Sequence, residues 1–192
     1  MQRETINRIR KTYIVSSILI GLLSPIICLI LFPEFDPRIH PVSYFGILKN
    51  TSTLFMLLLT MLSISILLNG VRAIQRLINN KRYKIWLKII LTTSSIFLLL
   101  TAIITMNISP VHQIVALFFF VSYNFFIFLF GLIRSISYVR KGIFSVIIGS
   151  LMLLSSLLLI PFPSYGVAEV IYIMLVFFWN IAIFIKTNKI NN

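Results

Sequence analysis

Acidic side chains are almost missing: Glu4, Glu34, Asp36 and Glu169 are the whole supply in 192 residues, and only 11% of the chain is charged at all. So little charge beside 59% hydrophobic residues and a mean hydropathy of +1.03 excludes a water-soluble domain of this size. Histidine is confined to His40 and His112, and neither falls in an HxxxH or HExxH spacing. Helix-borne zinc sites of the common kinds are thereby excluded. The single cysteine, Cys28, excludes an intramolecular disulfide and reads as a buried apolar thiol. Glycine-rich phosphate loops and a serine nucleophile elbow are also absent, which leaves no catalytic signature and no cofactor motif.

Long apolar runs fill the space. About 20 apolar residues cross the hydrocarbon layer once. Six runs qualify: 13–32, 51–71, 85–106, 111–133, 143–160 and 167–185. They predict an all-α membrane protein, a bundle of six transmembrane helices forming one polytopic domain over residues 1–192. Pro25 is expected to kink the first helix, because it removes a backbone donor and crowds the carbonyl one turn earlier. Ser109 and Pro110 fit the cap and first position of the fourth helix.

A net charge of +13 would suggest nucleic acid in a soluble protein. Its distribution points instead to membrane topology and excludes a nucleic-acid partner. Of 17 basic residues, 15 fall before the first run, in the link from Arg72 to Lys88 that reaches into the start of the third, between the fourth and fifth, or after the sixth. Arg38 and Lys49 alone lie on the other side, with Glu34, Asp36 and Glu169. By the positive-inside rule both termini are cytoplasmic and the protein sits in the cell membrane. Within the second link, Arg72, Arg76, Lys81, Arg82, Lys84 and Lys88 form a basic stretch suited to anionic lipid headgroups, although topology alone would also demand the charge.

Polar residues inside lipid-spanning runs need partners or a cavity. His112 and Tyr123 are 11 residues apart, which at 100° per residue places them on one helix face, and Glu169 and Asn180 repeat the interval. Lys49 and Thr60 do so again, with Thr53 between them. An intramembrane stripe of Thr60, Tyr123, Asn124, Tyr172 and Asn180 follows, read either as interhelical hydrogen bonds or as the wall of a polar cavity. Outside, the turn from Pro33 to Lys49 alternates Glu34, Asp36, Arg38 and His40 with Pro33, Phe35, Pro37, Ile39 and Pro41, which predicts an extended segment with its ionisable groups on one edge. With His112 and Glu169 these four residues make a candidate outer vestibule. Its imidazoles and carboxylates are of a kind that binds hard or borderline metals, but their spacing favours a solvated, salt-bridged loop over a metal site. Ser17 with Gly21 and Ser145 with Gly149 form small-x3-small pairs that permit close helix approach.

Several short motifs resemble a bacterial and archaeal six-helix membrane family known as domain of unknown function 998. They are Ser43-Tyr44-Phe45-Gly46 with Leu54-Phe55, His112 with Phe118 and Phe119, and Gly166-Val167-Ala168-Glu169 with Trp179. The family's last motif usually carries arginine after its acidic or amide residue, where this chain has Val170. More distantly, the chain is similar to DRAM-like six-helix proteins. Neither resemblance implies an activity, a substrate or a cofactor. The functional expectation is a non-enzymatic protein that binds or moves a lipid or small solute through an outward-facing polar vestibule. Its alternatives are a metal-dependent enzyme at the outer face and a structural subunit of a membrane complex. Membrane lipids are the expected partners; a homo-oligomer or a second membrane protein is left open.

Overall fold

The computed structural model describes residues 2–137, 139–161 and 164–189. Six α-helices make up nearly all of it: α1 (Gln2–Leu31), α2 (Ser52–Leu77), α3 (Lys81–Ile103), α4 (Val111–Ser137), α5 (Val139–Ser155) and α6 (Gly166–Lys189). Short 3-10 turns follow at Val42–Gly46, Met106–Ile108 and Ser156–Leu159. No strand occurs among the described residues. Each helix is long and apolar enough to cross a membrane, the shortest such stretch being the 21 residues Val139–Leu159, about 30 Å of helix. Phe162 and Pro163, part of the last predicted outer turn, lie outside the described residues.

Charge does not end helices where it ends apolar runs. The helix α1 begins at Gln2, well before Tyr13, and the stretch 72–88 is helical except for a three-residue turn from Ile78 to Asn80. Arginine and lysine are good helix formers, so α-structure continues through them past the apolar segment. Asn80 starts α3 by accepting hydrogen bonds from the backbone N–H groups of Arg82 and Tyr83. Pro25 lies within α1, which runs on to Leu31. The fourth helix begins one residue later than Ser109 and Pro110 suggest: Val111 is its first residue, and the Pro110 carbonyl accepts from Ile114 N–H.

Successive helices pack as antiparallel neighbours, and α6 returns against α2 to close a ring of five, with α1 laid outside against α2 and α6. The α4–α5 contact is the most extensive. Gly142 allows it: a methyl group there would overlap the Gly131 carbonyl oxygen of α4. Gly149 lies close against Phe128 of α4, where a Cβ would sit a tight 3.0 Å from its Cα, in keeping with the close approach that the pair with Ser145 permits. At the centre, Trp179 of α6 is fully buried and its ring meets Tyr123, Phe126 and Phe130 of α4 edge-on at 5.7–6.3 Å. Polarity is distributed inside-out: Asn69, Ser94, Ser145, Asn180 and Thr187 are buried, while Leu23, Ile30, Phe125 and Phe178 face outward. Such a surface suits lipid rather than water.

Candidate functional site

The two ends of the bundle differ. One end carries the start of α1, the end of α6 and most basic residues; the opposite end carries the long loop between α1 and α2 and is here called the loop end.

Prolines do not hold the loop extended. Ile39 and His40 N–H both bond to the Asp36 carbonyl, so the segment turns back on itself and then forms the 3-10 turn Val42–Gly46. The predicted edge is therefore broken. Glu34 and Arg38 are exposed, whereas Asp36 and His40 are half-buried. Arg38 grips the Asp36 carboxylate with Nε and Nη2, at 2.9–3.1 Å, which holds that carboxyl below the usual carboxylate range. His40 stacks on Tyr44 at 4.8 Å between ring centroids, and its Nδ1 accepts from Asp36 N–H at 3.5 Å.

Glu169, in the first turn of α6, reaches none of these side chains. Its Oε2 accepts the Val42 N–H at 2.6 Å, and the Ser43 N–H bonds to the same carboxyl group. Those two donors open the 3-10 turn and have no partner within it, so a side chain 127 residues away supplies the cap. Ser164 Oγ adds a bond to the Pro37 carbonyl at 2.9 Å. Gly166 makes the dock possible, because a Cβ there would strike the Pro37 and His40 carbonyl oxygens. Glu169 thus serves a backbone dock, while Arg38 is paired with Asp36. His112 is buried and its Nδ1–H donates to the Ile104 carbonyl at the end of α3.

Beside this dock, a cavity of about 340 Å³ opens where the 3-10 turn meets α2, α3 and the start of α4. Ser43, Thr53, Thr101, Thr105, Asn107 and His112 supply its polar lining, with Met56 and Met106 as soft apolar wall. Of the six predicted vestibule residues only His112 lines it. Glu34, Asp36, Arg38, His40 and Glu169 lie elsewhere on the cap. No carboxylate or ammonium group is among the lining residues. Nowhere among the described residues do three His, Cys, Asp or Glu side chains come together as a metal would need.

The predicted stripe is mostly a set of hydrogen bonds between helices. Asn180 Nδ2 donates to Tyr123 Oη at 2.8 Å, and Asn69 of α2 donates to the Asn180 side chain and carbonyl at 3.2 and 2.9 Å. Tyr172 Oη bonds the Phe120 carbonyl at 2.7 Å, and Asn124 Nδ2 the Gly149 carbonyl at 2.9 Å. Thr60 is half-buried, but Lys49 and Thr53 are exposed and do not continue its stripe. These bonds and the Trp179 stack fill the centre of the bundle between its two ends. Asn69 escaped the sequence reading, although an amide beside Gly70 in an apolar run was the available signal.

At the basic end, Arg72 is only 5% exposed, and Arg76 donates to the Thr187 carbonyl of α6. Lys81 and Arg82 are exposed and Lys84 and Lys88 half-buried, all four on the first turns of α3. A second cavity, of about 720 Å³, opens here among Arg76, Arg134, Lys141 and Lys186, three of which the basic stretch 72–88 does not contain.

Six apolar helices with an inward polar network define an all-helical, multi-pass membrane protein. The family model described as "Protein of unknown function (DUF998)" matches residues 15–186, and the chain belongs to that family. No curated protein and no solved structure matches the chain.

Proposed function

We propose that this is a cell-membrane protein whose single six-helix domain places both termini in the cytoplasm, and which binds an uncharged polar ligand in the loop-end cavity. The ligand class is a hydroxyl- or amide-bearing lipid headgroup or small solute. One observation carries the reading: a cavity of about 340 Å³ lined by hydroxyls, an amide and an imidazole, with no charge among its lining residues. Such a lining offers donors and acceptors in both directions without a counter-charge, and its volume falls in the range of about 300–1,000 Å³ usual for small-ligand sites. The packed Trp179 and Asn180 layer below it favours binding over permeation. Among the described residues no three His, Cys, Asp or Glu side chains come together to hold a metal for the enzyme alternative.

Two experiments test it. In a Cys28→Ser background, an impermeant thiol reagent applied to whole cells should label Arg38→Cys and Lys49→Cys and spare Gln75→Cys and Lys141→Cys; labelling at position 75 without permeabilisation reverses the orientation. For the ligand, Thr105→Trp should fill the cavity while leaving the fold intact. Native mass spectrometry after extraction in a mild detergent should show a neutral adduct on the wild type that the variant loses. Equal adducts on both proteins, or none on either, refute the loop-end site.

A further inference from the structure

Positive charge at the basic end converges on a cavity, which topology does not require. The positive-inside rule asks only that lysine and arginine lie on one side of the membrane. Here α2, α4, α5 and α6 each send one basic residue to a single cavity of about 720 Å³, respectively Arg76, Arg134, Lys141 and Lys186. The turn between α2 and α3 contributes Asn79 and Asn80, and the first turn of α3 contributes Tyr83, as neutral hydrogen-bonding groups. No carboxylate lines it among the described residues.

Arg134 is only 6% exposed, with its guanidinium carbon 5.7 Å from the centre of the Phe130 ring. Arg134 and Lys141 both repel the Lys186 ammonium. Behind Arg76, the buried Arg72 is repelled by Arg76 and Arg10, and its Nε has no hydrogen-bond partner among the described residues. Like charges gathered around one opening repel one another, and an anion seated among them relieves that repulsion. Guanidinium groups match phosphate oxygens in pairs, and lysines add point charges around them.

We infer that this cavity is a binding site for a phosphate-bearing anion, supplied either by a lipid headgroup or by a soluble phosphate compound. It is separate from the loop-end cavity and stands or falls without it. A headgroup would enter from the adjoining leaflet, where basic pockets between transmembrane helices are suited to phospholipid phosphate.

The test uses the full-length protein in neutral detergent and titrates it with phosphatidylglycerol, with phosphatidylcholine and, separately, with inorganic pyrophosphate. Binding is read by native mass spectrometry and by the thermal midpoint. Lys141→Gln/Lys186→Gln is the diagnostic variant, since both side chains are exposed at helix ends and their replacement should not disturb folding. Lys81→Gln, exposed at the same end but not among the cavity's lining residues, controls for surface charge. Phosphatidylglycerol binding at least roughly tenfold tighter than phosphatidylcholine, weakened roughly tenfold in the double variant and little changed in Lys81→Gln, establishes a headgroup site. Stabilisation by pyrophosphate, abolished in the double variant, establishes the site with a soluble phosphate as its occupant. Lys81→Gln weakening binding as much as the double variant overturns the inference, as does indifference of the double variant to every probe that binds the wild type, or failure of both anions to bind.

Discussion

Trp179→Ala should destabilise the bundle by about 3–5 kcal/mol, the range for deleting a buried large aromatic. The residue is fully buried on α6, its ring meets three aromatic rings of α4, and its Nε1 donates to Ser145 Oγ of α5 at 3.0 Å. Lipid tails are as apolar as the side chains they would replace, so packing and hydrogen bonds rather than water exclusion hold these three helices together. Alanine removes both at once. Trp179→Phe separates them: the ring stack largely persists and one hydrogen bond is lost, for a cost of about 1 kcal/mol. Unfolding in a graded series of denaturing to mild detergent reads the difference. If Trp179→Ala unfolds no earlier than Trp179→Phe, the aromatic stack is not what joins α4 to α6.

The six helices were legible because an apolar run of about 20 residues has few other uses. Their ends were less so, and Arg72 shows why. It follows the apolar run of α2 and reads as the start of a cytoplasmic link, yet it is still helical and buried. Hydropathy marks where lipid contact stops, whereas helices stop where backbone hydrogen bonds do. The 11-residue interval has meaning only where both members lie in one helix, as Glu169 and Asn180 do in α6. It failed for Lys49 and Thr60, because α2 begins at Ser52 and a residue before the helix has no helical phase to share.

The loop-end site was the least legible part. Sequence reading gathered Glu34, Asp36, Arg38, His40, His112 and Glu169 because ionisable groups look for one another. The structure satisfies most of them locally or through the backbone: Asp36 with Arg38, His40 with Asp36 N–H, His112 with a carbonyl, Glu169 with two N–H groups. Backbone donors and acceptors are as numerous as residues but invisible in a residue pattern. Five ionisable groups are thus occupied in local or backbone bonds, and the cavity beside the cap is left to hydroxyls, an amide and the His112 imidazole, of which the hydroxyls and the amide are common in helices and carry little signal. The basic-end cavity was hidden for a different reason. Its cations come from four helices, and only the fold shows that Arg76, Arg134, Lys141 and Lys186 share one opening.

Glu169 carries the second large effect. Removing its carboxyl group in Glu169→Ala leaves the Val42 and Ser43 N–H groups without their acceptor, and a partly buried donor so stranded costs about 1–3 kcal/mol. The loop should then loosen from α6, because among the described residues the other hydrogen bond at this dock is Ser164 Oγ to the Pro37 carbonyl. Glu169→Gln keeps one oxygen able to accept the Val42 N–H, so it should fall between the alanine variant and the wild type. Proteolysis of the loop and hydrogen exchange at Val42 report the loosening directly; both should rise in the order wild type, glutamine, alanine. Arg38→Ala should leave these readouts unchanged, since Arg38 is bound to Asp36 at the exposed surface and does not touch Glu169. In the double variant Glu169→Ala/Arg38→Ala the loosening should equal that of Glu169→Ala alone. A loosening in Arg38→Ala as large as in Glu169→Ala, with no further increase in the double variant, would mean that the two residues act as an ion pair and that the backbone dock is secondary.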